Sequence, residues 1–144
     1  MASVAPSRID KSNFYAAMAS GKAEEVDAML NELEKSSLPE KEAYTGALTM
    51  RKAGLTSKIK EKLDLFKSGR AKLEAAIKND EGNVEYHFLR LIIQENAPKI
   101  VKYRSDLKTD AEMVNNSFKK LSPELRDVIK DYSKKSKFLK QTDL

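Results

Sequence analysis

The stretch KSGRAKLEAAIKNDEGNVEYHFLRLIIQENAPK, residues 67–99, decides how the chain is read. Its first part spaces Gly69, Leu73 and Ala76 along one helical face, with small residues at two contact points and a large apolar one between them. The sequence DEGN then makes a turn, and a second helix runs from Val84 to Asn96. Apolar residues cover roughly two-thirds of its circumference at the 3.6-residue period. A helix so apolar is packed on more than one side and belongs at the centre of a core. One narrow strip stays polar, carrying His87, Arg90 and Gln94, and Pro98 forces a corner after it.

Working outward, helical periodicity continues in both directions and no segment alternates like a strand. A first helix over residues 12–20 presents Phe14, Ala17 and Met18 and stops at Gly21. A second, over 22–35, carries the stripe Ala23, Val26, Leu30 and Leu33. Ser37 and Glu40 have capping-box spacing with Pro39 in the first turn, so a third helix is expected from there to Ala53, with Gly54 as a left-handed cap. A fourth over 57–79 turns Ile59, Leu63, Phe66, Leu73 and Ile77 inward, and Gly69 marks a close helix approach. Beyond the fifth, Ile100, Val101 and Tyr103 predict a short sixth. Thr109 and Glu112 cap a seventh with the stripe Ala111, Val114, Phe118 and Leu121, and Ser122-Pro123-Glu124 opens the last. The expected fold is therefore all-α, one domain over 1–144. About eight helices stack as antiparallel hairpins, and 1–11 and 134–144 form flexible tails.

Composition narrows the functions. The chain has 144 residues, 40% apolar and 34% charged, as a globular domain with a charged surface requires. Zero cysteines exclude disulfides, thiolate nucleophiles and cysteine-ligated metals. No phosphate loop, HExxH or GxSxG occurs, and the single histidine lacks a companion ligand, so no enzyme, cofactor or metal site is expected. The net charge of +5 comes wholly from residues 97–144. Lysines 99, 102, 108, 119, 120, 130, 134, 135, 137 and 140 with Arg104 offer an alternative: electrostatic binding of nucleic acid or anionic membrane through 99–140. Nearly all are lysines and acids are interspersed, with no stacking aromatics on a basic face, which favours a solvated surface.

Gly69, Leu73, Ala76 and Glu81 also meet the spacing of a tetratricopeptide second helix, although Glu81 stands where that pattern prefers proline and Leu91 departs from it in the next helix. Over residues 40–110 the chain resembles an uncharacterised family of small bacterial, tetratricopeptide-repeat-like helical proteins. The motif that carries the resemblance falls on Phe88, Leu89, Arg90, Gln94, Asn96, Pro98 and Tyr103. The resemblance implies a tetratricopeptide-like fold and brings no activity with it. It also implies export for relatives that carry a signal peptide. MASVAPSRID lacks an apolar h-region, so either a mature exported form or a cytoplasmic protein is expected.

Two readings of the polar strip compete. In one, helices three and five contribute a groove in which Tyr44, His87, Arg90 and Gln94 bind a protein or peptide segment, Arg through its bidentate fork and Gln through its paired donor and acceptor. In the other, Arg90 and Gln94 satisfy backbone groups at the 96–98 corner, and His87 tolerates replacement. The expected function is a non-enzymatic interaction module, with self-association as a further expectation because short helical arrays leave end faces uncovered.

Overall fold

Asp10 opens the fold. In the computed structural model, which describes residues 9–139, its carboxylate accepts the backbone N–H of Asn13 at 2.7 Å and caps α1 (Lys11–Ala19). There follow α2 (Ala23–Glu34), α3 (Lys41–Gly54), α4 (Ile59–Asn79), α5 (Val84–Asn96), α6 (Leu107–Ser117) and α7 (Pro123–Ser133). No strand occurs among the described residues. Among the described residues there are seven α-helices rather than about eight, because the expected sixth is a three-residue 3-10 turn, Lys99–Val101. Ile100 points outward on that turn and is 70% exposed. Lys102 then takes a left-handed conformation, φ 52° and ψ 44°, and redirects the chain into α6.

Three of the expected helix ends differ. Helix α3 starts at Lys41 and makes no box with Ser37. Residues 36–40 form a turn that packs Leu38 against the core and brings Glu40 within 3.7 Å of Lys11. Gly54 is the last residue of α3 and is not left-handed. The Leu55 N–H at 2.9 Å and the Thr56 hydroxyl at 2.9 Å both satisfy the Lys52 carbonyl, which removes the need for such a cap. Helix α6 begins at Leu107, so Thr109 lies inside it and its hydroxyl donates to the Asp106 carbonyl. The work Glu112 would do falls to Gln94 of α5, whose Oε1 accepts the Asp106 N–H at 2.9 Å. The Ser122 cap is formed as read, accepting from Leu125 N–H with Pro123 in the first turn.

The core runs through all seven helices, with Phe14, Leu33, Leu48, Leu73, Leu89 and Ile129 wholly buried. Helices α3 and α4 make the most extensive pair, crossing where Gly46 meets Gly69. Helix α1 packs on both α3 and α7, so the first and last helices meet. The inner parts of both stretches read as tails belong to the fold: Ile9 and Leu139 are buried. Residues 1–8 and 140–144, including Lys140 of the basic third, lie outside the described residues.

Ala23, expected inward, is exposed. The other difference of consequence is in α4, where Ile59 is 67% and Leu63 40% exposed instead of buried. The C-terminal half of α4 lies close to α5, with Glu74 at 3.0 Å from Arg90. Its N-terminal half lies across a cleft from α5. The stripe that reads as continuous in sequence thus has a partner only along part of its length.

Candidate functional site

Three polar anchors on α5 organise the helices around it. The first joins His87, Arg90 and Gln94, as the strip foretold, but their target is Asp110 of α6 rather than the corner at 96–98. Asp110 is 1% exposed. Arg90 donates to it from Nε at 2.8 Å and from Nη2 at 2.9 Å, and Gln94 Nε2 adds a bond at 2.9 Å. His87 Nδ1 is 2.8 Å from the other Asp110 oxygen, while its Nε2 lies 2.8 Å from the Glu81 carbonyl. Arg90 Nη1 reaches Glu74 on α4, which also accepts the Tyr103 hydroxyl. The Arg70 guanidinium covers the Tyr103 ring at 4.5 Å.

The electrostatics follow from this crowding. Burial opposes the charge on Asp110, but hydrogen bonds from His87 and Arg90 outweigh it and hold the carboxyl below its ordinary value. Its contribution is therefore present above that range and lost as pH falls through the lowered value. For Arg90 burial is again the largest opposing effect, and the bond to Asp110 overcomes it, so the guanidinium stays charged. The Asp110 bond raises His87 above its ordinary 6.5; burial and the Arg90 charge pull the other way. Both ring nitrogens face acceptors, so the imidazolium form fits and the neutral form wastes one bond.

A pH prediction follows. The His87 contribution is complete below about pH 6.5 and is lost as pH rises through its raised value. Urea midpoints should show a fall on the order of 1 kcal/mol toward alkaline pH, the worth of one hydrogen bond. His87→Gln should erase that fall. Long-range nitrogen NMR at pH 6 should find both ring nitrogens protonated; a neutral tautomer there contradicts the assignment. Replacement of His87 should accordingly not be silent, where the sequence reading expects it to be tolerated.

Tyr44 does not share the strip. It belongs to the second anchor, at Glu85, where one carboxylate oxygen accepts the Tyr44 and Tyr15 hydroxyls at 2.8 and 2.9 Å. The other oxygen accepts Lys11 Nζ at 2.7 Å. The Tyr44 ring stacks on Phe14, centroids 3.9 Å apart. Burial, and then the Glu85 charge, pushes both phenols well above their ordinary range. The third anchor is Glu95, which accepts from the Tyr132 and Ser136 hydroxyls at 2.8 Å and from the Lys137 N–H at 2.6 Å. Asn96 Nδ2 donates to the same Tyr132 oxygen at 3.0 Å.

With these side chains engaged internally, an open concavity lies on the other face of α5. It is a cleft of about 240 Å³ walled by α1, α3, α4, α5 and α7, with Met18, Met50, Phe66, Phe88, Ile92 and Val128 among its lining. Helices α3 and α5 are two of its walls, and Tyr44, His87, Arg90 and Gln94 do not line it. Arg51 stands at its edge, its Nε and Nη2 donating to the Met18 and Ser20 carbonyls at 2.9 and 2.8 Å. These bonds cap the end of α1 and fix that wall. Among the described residues no group of three or more His, Cys, Asp or Glu is placed to hold a metal, and no helix is long and apolar enough to cross a membrane.

Sequence reading missed Asp110, Glu85 and the cleft. The first two had a signal. Asp110 falls in register with Leu107, Ala111 and Val114, and Glu85 with Phe88, Leu89 and Ile92. An acid at a core position of an apolar stripe demands buried donors. No protein-family model, curated protein or solved structure matches the chain.

Proposed function

We propose that the chain is a non-enzymatic helical interaction module that takes an apolar anchor of a protein partner into the cleft on α3 and α5. One observation carries this reading: the cleft is an apolar-lined concavity bounded by five helices, held open between walls that hydrogen bonds fix independently. Its volume of about 240 Å³ exceeds the roughly 150 Å³ that admits benzene, so it holds a bulky side chain. The engaged carboxylates support binding over catalysis, because buried Asp110 and Glu85 and half-buried Glu95 each face donors within the fold. The α3–α4 crossing supports tetratricopeptide-like packing in that hairpin, where Gly69, Leu73 and Ala76 are all buried. This proposal places the partner opposite the strip of His87, Arg90 and Gln94, which serves as the seam to α6.

Methionine methyl NMR tests it. Met18 and Met50 line the cleft, whereas Met29 and Met113 do not. On titration with a helical peptide bearing a Phe anchor, the first pair should shift and the second should stay still. Ala19 is exposed at the cleft wall, so Ala19→Trp should fill the mouth and abolish the shifts while leaving the melting temperature within about 2 °C of the parent. Shifts confined to Met29 or Met113 place the binding surface elsewhere.

A further inference from the structure

We infer that the partner is an acidic amphipathic helix, whose apolar residues enter the cleft and whose flanking carboxylates meet the cations at its mouth. The inference rests on the cleft being the binding site. Three large apolar side chains are exposed among the described residues, Ile59, Leu63 and Ile100, and each lies beside or within one turn of a cleft-lining residue in sequence. Leu63 adjoins the cleft-lining Lys62, Ile59 sits one turn before it, and Ile100 precedes the cleft-lining Val101. The apolar surface therefore continues out of the cleft onto two lips.

The charge around this surface is predominantly positive, with Asp131 the one carboxylate in the cleft lining. Lys62 and Lys135 line the cleft, and Lys99 and Lys102 bracket Ile100 and Val101. Among the described residues no carboxylate lies within 4.0 Å of any of these four amines. The acids nearest in sequence lie elsewhere on α4 or, like Asp131, at the cleft wall beside a lysine. Glu61 and Asp64 line a shallow depression elsewhere on α4, and Asp131 lies 3.7 Å from Lys134. Lys135 lies over the Tyr132 ring at 5.4 Å, and none of the four has a carboxylate partner among the described residues. Cations of this kind around an apolar mouth select a partner that is apolar at its centre and acidic at its edge.

The same surface selects helical form. The described residues contain no strand, so they offer no sheet edge on which an extended peptide could pair its backbone. Against apolar walls an extended segment strands its polar groups, whereas a helix satisfies them internally and projects anchors at i, i+3 and i+4. A bilayer supplies the same charge but no knob to fill a concavity.

Three synthetic helical peptides with one common Phe- and Leu-bearing face test the inference, their remaining positions carrying Glu, Gln or Lys. By fluorescence anisotropy at low salt, the Glu peptide should bind about tenfold more tightly than the Gln peptide, and the gap should close as salt is raised. The double variant Lys62→Glu/Lys135→Glu, checked for folding by circular dichroism, should reverse the preference toward the Lys peptide. Equal binding of all three peptides, with Met18 and Met50 still shifting, leaves the cleft as the site and overturns the acidic partner. No binding of any peptide removes the cleft reading itself. Binding to phosphatidylserine vesicles that Ala19→Trp does not weaken, or dimerisation that competes with the Glu peptide, assigns the surface to a membrane or a second copy and overturns the inference.

Discussion

Replacing Asp110 with Ala should destabilise the protein by about 3–5 kcal/mol, the cost of removing one partner from a buried ion pair. The carboxylate receives Arg90, Gln94 and His87, and it is 1% exposed. Its removal leaves the Arg90 fork facing a void, with only Glu74 and the more distant Asp106 as counter-charges. Gln94, wholly buried, keeps the Asp106 N–H and its own Arg90 carbonyl but loses its carboxylate. Helix α6 is then held to α5 mainly by Leu107, Ala111 and Val114. For a domain of this size the midpoint should fall by more than about 10 °C. Asp110→Asn should fall nearly as far, since the amide cannot supply the charge that Arg90 and His87 require. Arg90→Ala belongs to the same network, so the Asp110→Ala/Arg90→Ala double variant should be much less damaged than the sum of the singles. Additive losses would show that the two side chains do not act together. An Asp110→Ala protein within 1 kcal/mol of the parent would remove the seam altogether.

That network shows which parts of the structure were written locally. The strip His87, Arg90 and Gln94 was legible because it interrupts an otherwise apolar helix, and a polar residue on such a helix must meet a partner. The identity of the partner was not legible, because Asp110 approaches from another helix and its side chain looks like part of an exposed KTDAE start. Helix ends failed for the same reason. Thr109 and Glu112 have the spacing of a capping box, yet Gln94 on α5 performs the task from outside the segment. Gly54 had the composition of a left-handed cap, and Thr56 made one unnecessary. The cleft was invisible because nothing in the α4 stripe marks where α5 parts from it. Ile59 and Phe66 are equally apolar, and one is 67% exposed while the other is buried. Their difference depends on where the neighbouring helix goes.

Gly69 is the opposite case, a tertiary contact announced by one residue. Its counterpart across the crossing is Gly46, which the sequence did not single out. A Cβ built on Gly46 stands 2.7 Å from the Gly69 carbonyl oxygen and 2.7 Å from the Leu73 nitrogen. One built on Gly69 stands 2.5 Å from the Gly46 oxygen and 3.0 Å from the Met50 nitrogen. These obstacles are backbone, which no rotamer change moves, so the helices must separate. Separation opens the packing of Leu73, Ala47 and Met50, all buried at or beside the crossing. Gly to Ala inside a helix is otherwise favourable by about 1 kcal/mol, which offsets part of the damage. Each single substitution should still cost about 2–3 kcal/mol net, at the upper end of overpacking. Gly21→Ala and Gly82→Ala serve as controls, because nothing lies within 4 Å of a Cβ at either and neither has positive φ. Those two should be neutral or stabilising by up to about 1 kcal/mol. The double variant Gly46→Ala/Gly69→Ala should lose less than the two singles together, since the first methyl already drives the helices apart. If Gly46→Ala melts with Gly82→Ala, the α3–α4 crossing is looser than its contact distances require. Because Met50, Ala53 and Gly54 of α3 and Lys62 and Phe66 of α4 line the cleft, widening the crossing also moves its walls. Either glycine variant should therefore weaken peptide binding in proportion to its loss of stability.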